Sequence, residues 1–289
     1  MIDAHMHLWE KQDGRVNGLP VYDLGGGRSQ FGMEVCQMLP PYMTDGVNSA
    51  ERFLANMDFA QVAAAVVTQE YIDGNQDTYL RRVRAAWPQR FRVCALYEEK
   101  VLPDTAGMDG IKICAGRLAD PDLTRCAEVF DRARKEGLFV SIDLADGDKQ
   151  TGSAREMIEQ YPDVRVAFGH FGMVTRPGWQ EQIKLARYPN VRIESGGITW
   201  LFNSEFYPYP SAVRAILEAR DLCGIEKLMW GSDYPRTMTV ITYRMSWDFI
   251  DKSSLLSDEE KARFLHENAK QFYQFGELPE MPYVHHMAE

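Results

Sequence analysis

The sequence lacks long apolar runs, CxxC cysteine pairs and any excess of positive charge. No apolar stretch approaches the ~18 residues of a membrane-spanning helix, and no basic and apolar leader opens the chain. Lys and Arg number 32 against 42 Asp and Glu, a formal net charge of −10. This balance disfavours nucleic acid and anionic membranes as partners, so we expect a small-molecule partner. From the missing leader and apolar runs, we expect neither secretion nor a membrane anchor.

Cysteine is scarce as well. There are five cysteines, an odd number, and those at positions 94, 114 and 223 lie in or beside apolar runs, where a free thiol behaves as a small hydrophobe. Reduced, buried thiols in a cytoplasmic protein fit this usage better than a disulfide framework or a zinc knuckle.

What the sequence does contain is an alternation of short apolar runs and helical patterns over 289 residues. The strand-like runs are 2–8, 62–68, 91–96, 110–114, 138–144, 164–168, 191–195 and 227–231. The helical patterns are 49–59, 75–87, 123–136, 153–160, 179–187, 211–222, 243–252 and 258–273. Eight strands separated by helices predict an α/β fold, a single (β/α)8 TIM barrel.

The remaining segments fit one domain over 1–289, because no Ser/Gly/Pro-rich linker divides the chain. Residues 1–9 contain the first strand, and 10–48 form an elaborated first βα loop over the active face. Residues 97–108 hold a proline and a glycine and predict a loop. An extra C-terminal helix, 258–273, precedes a tail of 274–289.

The first strand carries two histidines. Alternation directs Asp3, His5 and His7 into the barrel and the even-numbered residues of 2–8 towards the helices. Polar groups inside a barrel are costly unless they are paired or ligated. A divalent metal is one explanation, since imidazole is a common zinc ligand. A buried, hydrogen-bonded structural pair is the other.

Two further polar residues stand at C-terminal ends of strands, where TIM-barrel enzymes keep their catalytic groups. His170 follows the sixth run and Asp233 the eighth. Together with His5 and His7 they predict one site, and three of the chain's six histidines contribute to it.

These segments resemble the amidohydrolase superfamily, in its amidohydrolase-2 branch. The matching segments are 2–9 (IDAHMHLW), 169–172 (GHFG), 231–235 (GSDYP) and 268–273 (NAKQFY). Within the branch the chain is most similar to the sugar-lactonase group, which includes fuconolactonases, rhamnonolactonases and pyrone-dicarboxylate lactonase. That similarity depends on 161–164 (YPDV), Trp179, 188–191 (YPNV) and 195–197 (SGG).

The resemblance implies roles for four residues. His5, His7, His170 and Asp233 take the positions of the family's metal ligands, and Asp233 and His170 are the catalytic candidates. Asp233 takes the position of the aspartate that accepts a proton from the attacking water. A bound metal lowers the pKa of water towards ~7 and polarises a carbonyl, and a nearby carboxylate completes the deprotonation.

The fifth strand departs from the family. It presents Asp143 where metal-dependent members of the branch usually present a histidine. Asp143 is either an oxygen ligand or a partner that orients His5 or His7. The lactonase group often has an aspartate here, and some of its members work without a metal. The cofactor expected is therefore a divalent ion, zinc first, or none.

Substrate-binding candidates are Trp9, Lys112, Asp143, Arg176 and Arg236. Trp9 follows His7 at the barrel mouth and suits stacking. Arg176 and Arg236 suit a carboxylate or carbonyl oxygen, with a solvated surface arginine as the alternative for each. Lys112 is read as an ammonium that pairs with Asp143 or Glu194, or that binds a substrate oxygen.

The aromatic segment 199–209 suits either stacking against a ligand or a contact between subunits, which leaves a homo-oligomer open. Glu194 is favoured slightly as a salt-bridge partner over a catalytic group.

The function predicted is hydrolysis of a lactone in a sugar-derived or dicarboxylate substrate, with Asp233 as general base. One alternative is a metal-dependent decarboxylase or hydratase of an unsaturated acid. Another is a barrel that binds a sugar acid without turnover, which the inward-facing base disfavours.

Overall fold

The computed structural model describes residues 1–285 and residue 287. His286, Ala288 and Glu289, in the predicted tail, lie outside the described residues. The strands are β1 (Ile2–Met6), β2 (Asp13–Val16), β3 (Leu19–Gly25), β4 (Arg28–Phe31), β5 (Glu34–Gln37), β6 (Ala64–Val67), β7 (Phe91–Leu96), β8 (Gly110–Ile113), β9 (Phe139–Ile142), β10 (Val166–Phe168), β11 (Val191–Glu194) and β12 (Leu228–Met229).

The helices begin after the insertion that follows β1. They are α1 (Ala50–Phe59), α2 (Asp77–Ala86), α3 (Ala127–Glu136), α4 (Thr151–Gln160), α5 (Trp179–Lys184), α6 (Ile198–Leu201), α7 (Pro210–Cys223), α8 (Met245–Asp251), α9 (Asp258–Ala262) and α10 (Asn268–Phe272). A π-helical turn, Arg263–Glu267, joins α9 to α10, so the predicted helix 258–273 is continuous but not uniform.

Eight parallel strands form the barrel, in the order β1-β6-β7-β8-β9-β10-β11-β12. The sheet closes on itself where the Ala4 N–H donates to the Trp230 carbonyl at 2.9 Å and Met6 pairs with Tyr234 in a parallel bridge. The predicted TIM barrel is confirmed. No helix separates β7 from β8, as the proline and glycine of 97–108 predict.

The barrel strands form because apolar residues alternate along them. In β8, Ile111 and Ile113 pack outward in the large cluster that includes the helices. The residue between them, Lys112, is fully buried on the other face. The outward face therefore stabilises the strand, which leaves the inward positions free to carry polar groups.

The first strand departs from the predicted alternation. Its pairing with β6 shifts register between Asp3 and Met6. Ile2 and Ala4 consequently join the inner cluster, and Asp3 turns towards the helices, where it accepts a hydrogen bond from Tyr243 at 2.9 Å. The prediction that Asp3 lines the lumen is wrong, because an irregularity in the pairing reverses the parity before His5.

The insertion between β1 and α1 is more regular than a loop. β2, β3, β4 and β5 form a four-stranded antiparallel sheet. Trp9 and Asn48 pair in a bridge where the insertion leaves and rejoins the barrel. The backbone of β2 also bonds to the segment after β6, with the Arg15 N–H donating to the Tyr71 carbonyl at 2.8 Å.

The other end of the barrel is closed by the C-terminal helix. Ala269, Phe272 and Tyr273 pack in the inner cluster beneath the strands. The carbonyls at the end of α10 accept hydrogen bonds from guanidinium groups of the barrel, those of Arg92 and Arg165. Cations at a helix C-terminus are stabilising because they face the negative end of its dipole.

Two sequence expectations concern the chain as a whole. Each of the five cysteines is a free thiol. Within the part of the chain that the structure describes, no helix combines the length and apolarity that a membrane crossing requires.

We predict that Phe272→Ala lowers the free energy of unfolding by about 3–5 kcal/mol, because it empties the centre of the barrel floor. The measurement is urea-induced unfolding followed by tryptophan fluorescence. Gln271→Ala is the matched control, since Gln271 is the exposed neighbour on α10, and it should shift that free energy by less than about 0.5 kcal/mol. Equal effects of the two substitutions would contradict the assignment of α10 as the floor.

Candidate active site

A cavity of about 460 Å³ opens at the C-terminal end of the barrel strands. The polar side chains that matter for its chemistry are those of His7, Asp143, His170, Trp200, Asp233 and Arg236, all of which line it. Because the carboxyl ends of parallel strands meet there, the residues that follow separate strands converge on one space.

At the bottom of the cavity lies a triad of His5, His7 and Asp233, of which His7 and Asp233 line the cavity. The Nε2 atoms of His5 and His7 lie 3.2 Å apart. Asp233 Oδ1 lies 3.0 Å from His7 Nε2 and 3.9 Å from His5 Nε2. All three side chains are buried, so two imidazole nitrogens and a carboxylate oxygen converge on one protected spot.

This spacing suits a divalent ion. Two ligands at 2.0–2.1 Å from one zinc ion, at the tetrahedral angle, stand about 3.3 Å apart. His5, His7 and Asp233 form one group of donors close enough to share an ion. Burial, with a contribution from the Arg236 charge, lowers the pKa of His7, so its imidazole is neutral and able to act as a ligand. The residues present therefore fit a metal ion.

His5 is held from behind by Glu194, on β11. Glu194 Oε1 lies 2.5 Å from His5 Nδ1, and its other oxygen accepts the Gly196 N–H at 2.6 Å. A histidine that donates Nδ1–H to a carboxylate presents its Nε2 lone pair to the site. The structure thus places Glu194 as a partner of His5.

Asp233 follows β12 in a left-handed backbone conformation, with φ 56°. Such a conformation is uncommon for a non-glycine residue and is held by its surroundings; here the Asp233 N–H donates to the His5 carbonyl at 2.9 Å. Trp200 Nε1 donates to Asp233 Oδ2 at 2.8 Å. Burial would raise the pKa of Asp233, but the hydrogen bond with His7 and the charges of His170 and Arg236 lower it. Asp233 is therefore an ionised carboxylate.

The imidazole of His170 lies beside that of His5, with the two ring centroids 4.7 Å apart. It too has a left-handed backbone, with φ 57°. Its Nδ1 donates to the Gly196 carbonyl at 3.0 Å, which leaves Nε2 facing Asp143 Oδ2 at 3.6 Å. Burial lowers the pKa of His170, but the charges of Asp143, Asp233 and Glu194 together outweigh it and raise the pKa to about 10.

Asp143 is paired from below by Lys112. The Lys112 Nζ lies 2.6 Å from Asp143 Oδ2. Burial raises the pKa of Asp143, but the charges of Lys112 and His170 bring it well below its usual value. Asp143 also belongs to a second donor group with His5 and His170. Lys112 is fully buried and does not border the cavity, which places it beneath Asp143 and out of direct reach of a substrate.

Arg236 reaches the cavity beside the triad. One Nη atom lies 2.6 Å from Asp73 Oδ1 and the other 3.9 Å from Asp233 Oδ1. Asp73 was not among the residues singled out from the sequence. It lies in the segment after β6, where no apolar periodicity or motif marks it, and only its burial in the fold distinguishes it.

Two predicted substrate contacts lie elsewhere. Trp9 is fully buried, and its Nε1 donates to the Gly46 carbonyl at 2.8 Å. It packs with Leu39 in a small cluster inside the insertion, so it is covered and does not offer a stacking surface. Arg176 does not line the cavity; it is largely exposed and lies 3.4 Å from Asp146.

Three glycines make room for this buried polar centre. A Cβ atom on Gly169 would lie 2.0 Å from Asp143 Oδ1, and one on Gly231 would lie 2.8 Å from Glu194 Oε2 and from His5 Cβ. Gly196 is similarly close to Glu194. These glycines stand in the segments GHFG, SGG and GSDYP that flank the site, so those segments have a steric reason to contain glycine.

A barrel with a buried histidine–carboxylate cluster at the carboxyl ends of its strands has the arrangement that enzymes of this fold use for catalysis. A family model described as Amidohydrolase matches residues 2–275. The chain therefore belongs to the amidohydrolase-2 family, and it is a TIM-barrel enzyme of that family. No curated protein sequence matches it.

Solved structures with the same fold cover nearly the whole chain. A probable 2-pyrone-4,6-dicarboxylic acid hydrolase from Acinetobacter baumannii, with citric acid bound, is 18% identical with a TM-score of 0.71, covering 95% of this chain and 99% of that one. An amidohydrolase from Burkholderia multivorans with bound zinc is 14% identical with a TM-score of 0.68, covering 96% and 99%.

A third structure is more distant. A 5-carboxyvanillate decarboxylase from Novosphingobium aromaticivorans, complexed with manganese and a nitrobenzoic acid, is 14% identical with a TM-score of 0.58, covering 79% of this chain and 81% of that one. Identities this low show a common fold.

We predict that Gly169→Ala destabilises the protein by about 1–3 kcal/mol, because its Cβ would displace the Asp143 carboxylate from its ion pair with Lys112. Thermal unfolding measures the effect. Gly152→Ala is the control, since a Cβ there meets nothing within 4 Å and alanine favours a helix by up to about 1 kcal/mol. If Gly169→Ala were as stable as Gly152→Ala, the crowding of the site described above would not hold.

Proposed function

We propose that the protein is a lactonase that opens the ring of a small lactone bearing a carboxylate, by attack of water on the ring carbonyl. The observation that carries the proposal is Asp233, an ionised carboxylate whose two oxygens are held by His7 and Trp200 at the floor of a cavity. Such a fixed carboxylate suits a general base.

The proposed reaction uses residues that already point at the cavity. Water bonds to the carbonyl carbon while one of its protons passes to Asp233. The bond between that carbon and the ring oxygen then breaks, and the leaving oxygen takes the proton from Asp233, which gives an open-chain hydroxy acid. The guanidinium of Arg236 is placed to hold a carboxylate or the carbonyl oxygen of the substrate.

The ion site is the second part of the proposal. His5, His7 and Asp233 would hold a divalent ion, zinc first, and His170 stands beside them. When bound, such an ion supplies polarisation of the carbonyl and a more acidic water. His5 is oriented to bind such an ion, because its hydrogen bond with Glu194 through Nδ1 leaves Nε2 facing the site.

The residue after the fifth barrel strand, β9, favours a lactone over other substrates of the branch. Asp143, which is paired with Lys112 of the neighbouring strand, stands where the metal-dependent relatives usually present a histidine. The resemblance to the lactonase group includes this aspartate. The fold relative from Acinetobacter baumannii is named as a probable hydrolase of a pyrone dicarboxylate, so dicarboxylate lactones and sugar lactones are the first substrates to test.

We predict that Asp233→Asn lowers kcat/KM for lactone opening by about 10²–10⁴-fold, the usual contribution of a general base. A pH-indicator assay over a panel of sugar and dicarboxylate lactones gives the rate. Asp163→Asn is the control, because Asp163 is an exposed carboxylate paired with Arg134, and its rate should equal that of the unmodified protein.

Other outcomes of the same assay separate the alternatives. Full activity in Asp233→Asn would falsify the proposed base. Carbon dioxide release from an unsaturated acid without ring opening would favour a decarboxylase. Tight binding with no turnover across the panel would favour a sugar-acid-binding barrel.

We also predict that the purified protein carries about one equivalent of a divalent ion, that chelation removes it together with activity, and that His7→Gln prevents its rebinding because one of the three donors is lost. Elemental analysis measures the ion. His266→Gln is the control, since His266 lies in the π-helical turn on the far side of the barrel. Full activity in protein shown to be free of metal would contradict the ion site.

A further inference from the structure

Asp73 is a buried carboxylate that the proposed reaction does not use. It follows β6 and is 2% exposed. From its position between the insertion sheet and the triad, we propose that Asp73 is a positioning residue that fixes the proton of His7 on Nδ1 and so keeps Nε2 available to a metal ion. The inference rests on the ion site of the proposed function, not on lactone chemistry.

The first observation is a pair of buried atoms without hydrogen-bond partners. His7 Nδ1 and Asp73 Oδ2 both lack one, and they lie 3.6 Å apart. A buried polar atom without a partner has lost its hydrogen bonds to water and gained none in the protein, which is unfavourable. The two atoms are each other's neighbours, and a movement of a few tenths of an ångström would bring them into an Nδ1–H···Oδ2 hydrogen bond.

The second observation is that the other oxygen of Asp73 is fixed. Oδ1 accepts a hydrogen bond from Arg236 Nη2 at 2.6 Å and lies 3.4 Å from its second donor, Gln12 Nε2. With Oδ1 committed to two donors, the carboxylate cannot rotate, and Oδ2 is held towards His7.

The choice of proton position on His7 is a competition between two carboxylates. Asp233 Oδ1, 3.0 Å from Nε2, favours a proton on Nε2, and Asp73 favours one on Nδ1. A neutral imidazole has a single N–H, and an ion at the triad requires the Nε2 lone pair. Asp73 is thus the group that accepts the proton when Nε2 becomes a ligand, as carboxylates behind metal-bound histidines do.

The insertion sheet takes part through Gln12. Its Oε1 accepts a hydrogen bond from the fully buried Ser29 on β4 at 2.7 Å, and the Asp13 N–H donates to the Asp73 carbonyl at 3.3 Å. The sheet therefore holds Asp73 from the side opposite His7, which connects the packing of the insertion to the metal affinity of the triad.

The test is the zinc dissociation constant of the full chain, stripped of metal and titrated against a competing chelator. In Asp73→Asn, the two donors at Oδ1 keep the amide oxygen there and turn the amide NH2 towards His7 Nδ1. That nitrogen must then accept, which forces the proton onto Nε2. We expect zinc to bind about 10–100-fold more weakly.

The matched control is Asp109→Asn. Asp109 is held by both arms of the Arg84 guanidinium, at 2.7 and 3.1 Å, but it lies before β8, at the opposite end of the barrel from the triad. Its substitution should lower stability without changing the zinc affinity. A purely structural role for Asp73 predicts the same behaviour in both variants and would overturn the proposal.

A second measurement determines directly which nitrogen of His7 carries the proton. The chain has six histidines, so 15N-histidine labelling and two-bond 1H–15N spectra of the zinc-loaded protein can assign each tautomer. We expect His7 to carry its proton on Nδ1. A proton on Nε2 of His7 in the zinc-loaded protein would overturn the proposal.

If Asp73→Asn does not fold, Gln12→Ala keeps the proposal testable, because it removes one donor to Asp73 Oδ1 and should weaken zinc binding in the same direction by a smaller factor. Unchanged zinc affinity in Gln12→Ala would then overturn the proposal. Wild-type protein that opens lactones but binds no zinc would overturn this inference and leave the proposed lactonase activity intact. Wild-type protein that binds zinc but opens no lactone would overturn the lactonase activity and leave this inference intact.

Discussion

The interior of this barrel contains charge that water cannot reach, and each charged group there must find its partner in the protein. An unpaired ionised group in such a place costs several kcal/mol, so Lys112 lies against Asp143 and Glu194 against His5. These pairs fix the directions of the side chains above them. The glycines around them are a consequence, since a Cβ on Gly169 would enter the space of Asp143.

This pairing also separates two functions within one cavity. On one side, His7 and Asp233 form a donor group suited to an ion. On the other, His170 faces an aspartate whose charge Lys112 already balances. In the proposed reaction, a substrate would lie between a side that can bind an ion and a side that supplies positive charge, and positive charge stabilises the oxyanion that forms when a carbonyl is attacked.

The sequence predicted every barrel strand because outward apolar residues, such as Ile111 and Ile113, repeat at the period of a strand. It also placed His5, His7, His170 and Asp233 together, since residues at the ends of parallel strands converge by geometry. The prediction from alternating inward and outward residues failed at Asp3. The strand register shifts there, and no residue type marks such a shift in the sequence.

Loop residues were the less predictable part of the site. The insertion folds into a sheet that buries Trp9 with Leu39, and Arg176 turns towards Asp146, because loop side chains are directed by tertiary contacts that no periodicity reports. Asp73 was missed for the same reason.

The floor made by α10 has a consequence for folding. The inner cluster joins Ile2 and Ala4 to Phe272 and Tyr273, residues that are far apart along the chain. The lower interior of the barrel therefore stays open to water until α10 has packed beneath the strands. Partly folded forms that lack this contact expose the apolar lining, and such exposed surface promotes aggregation.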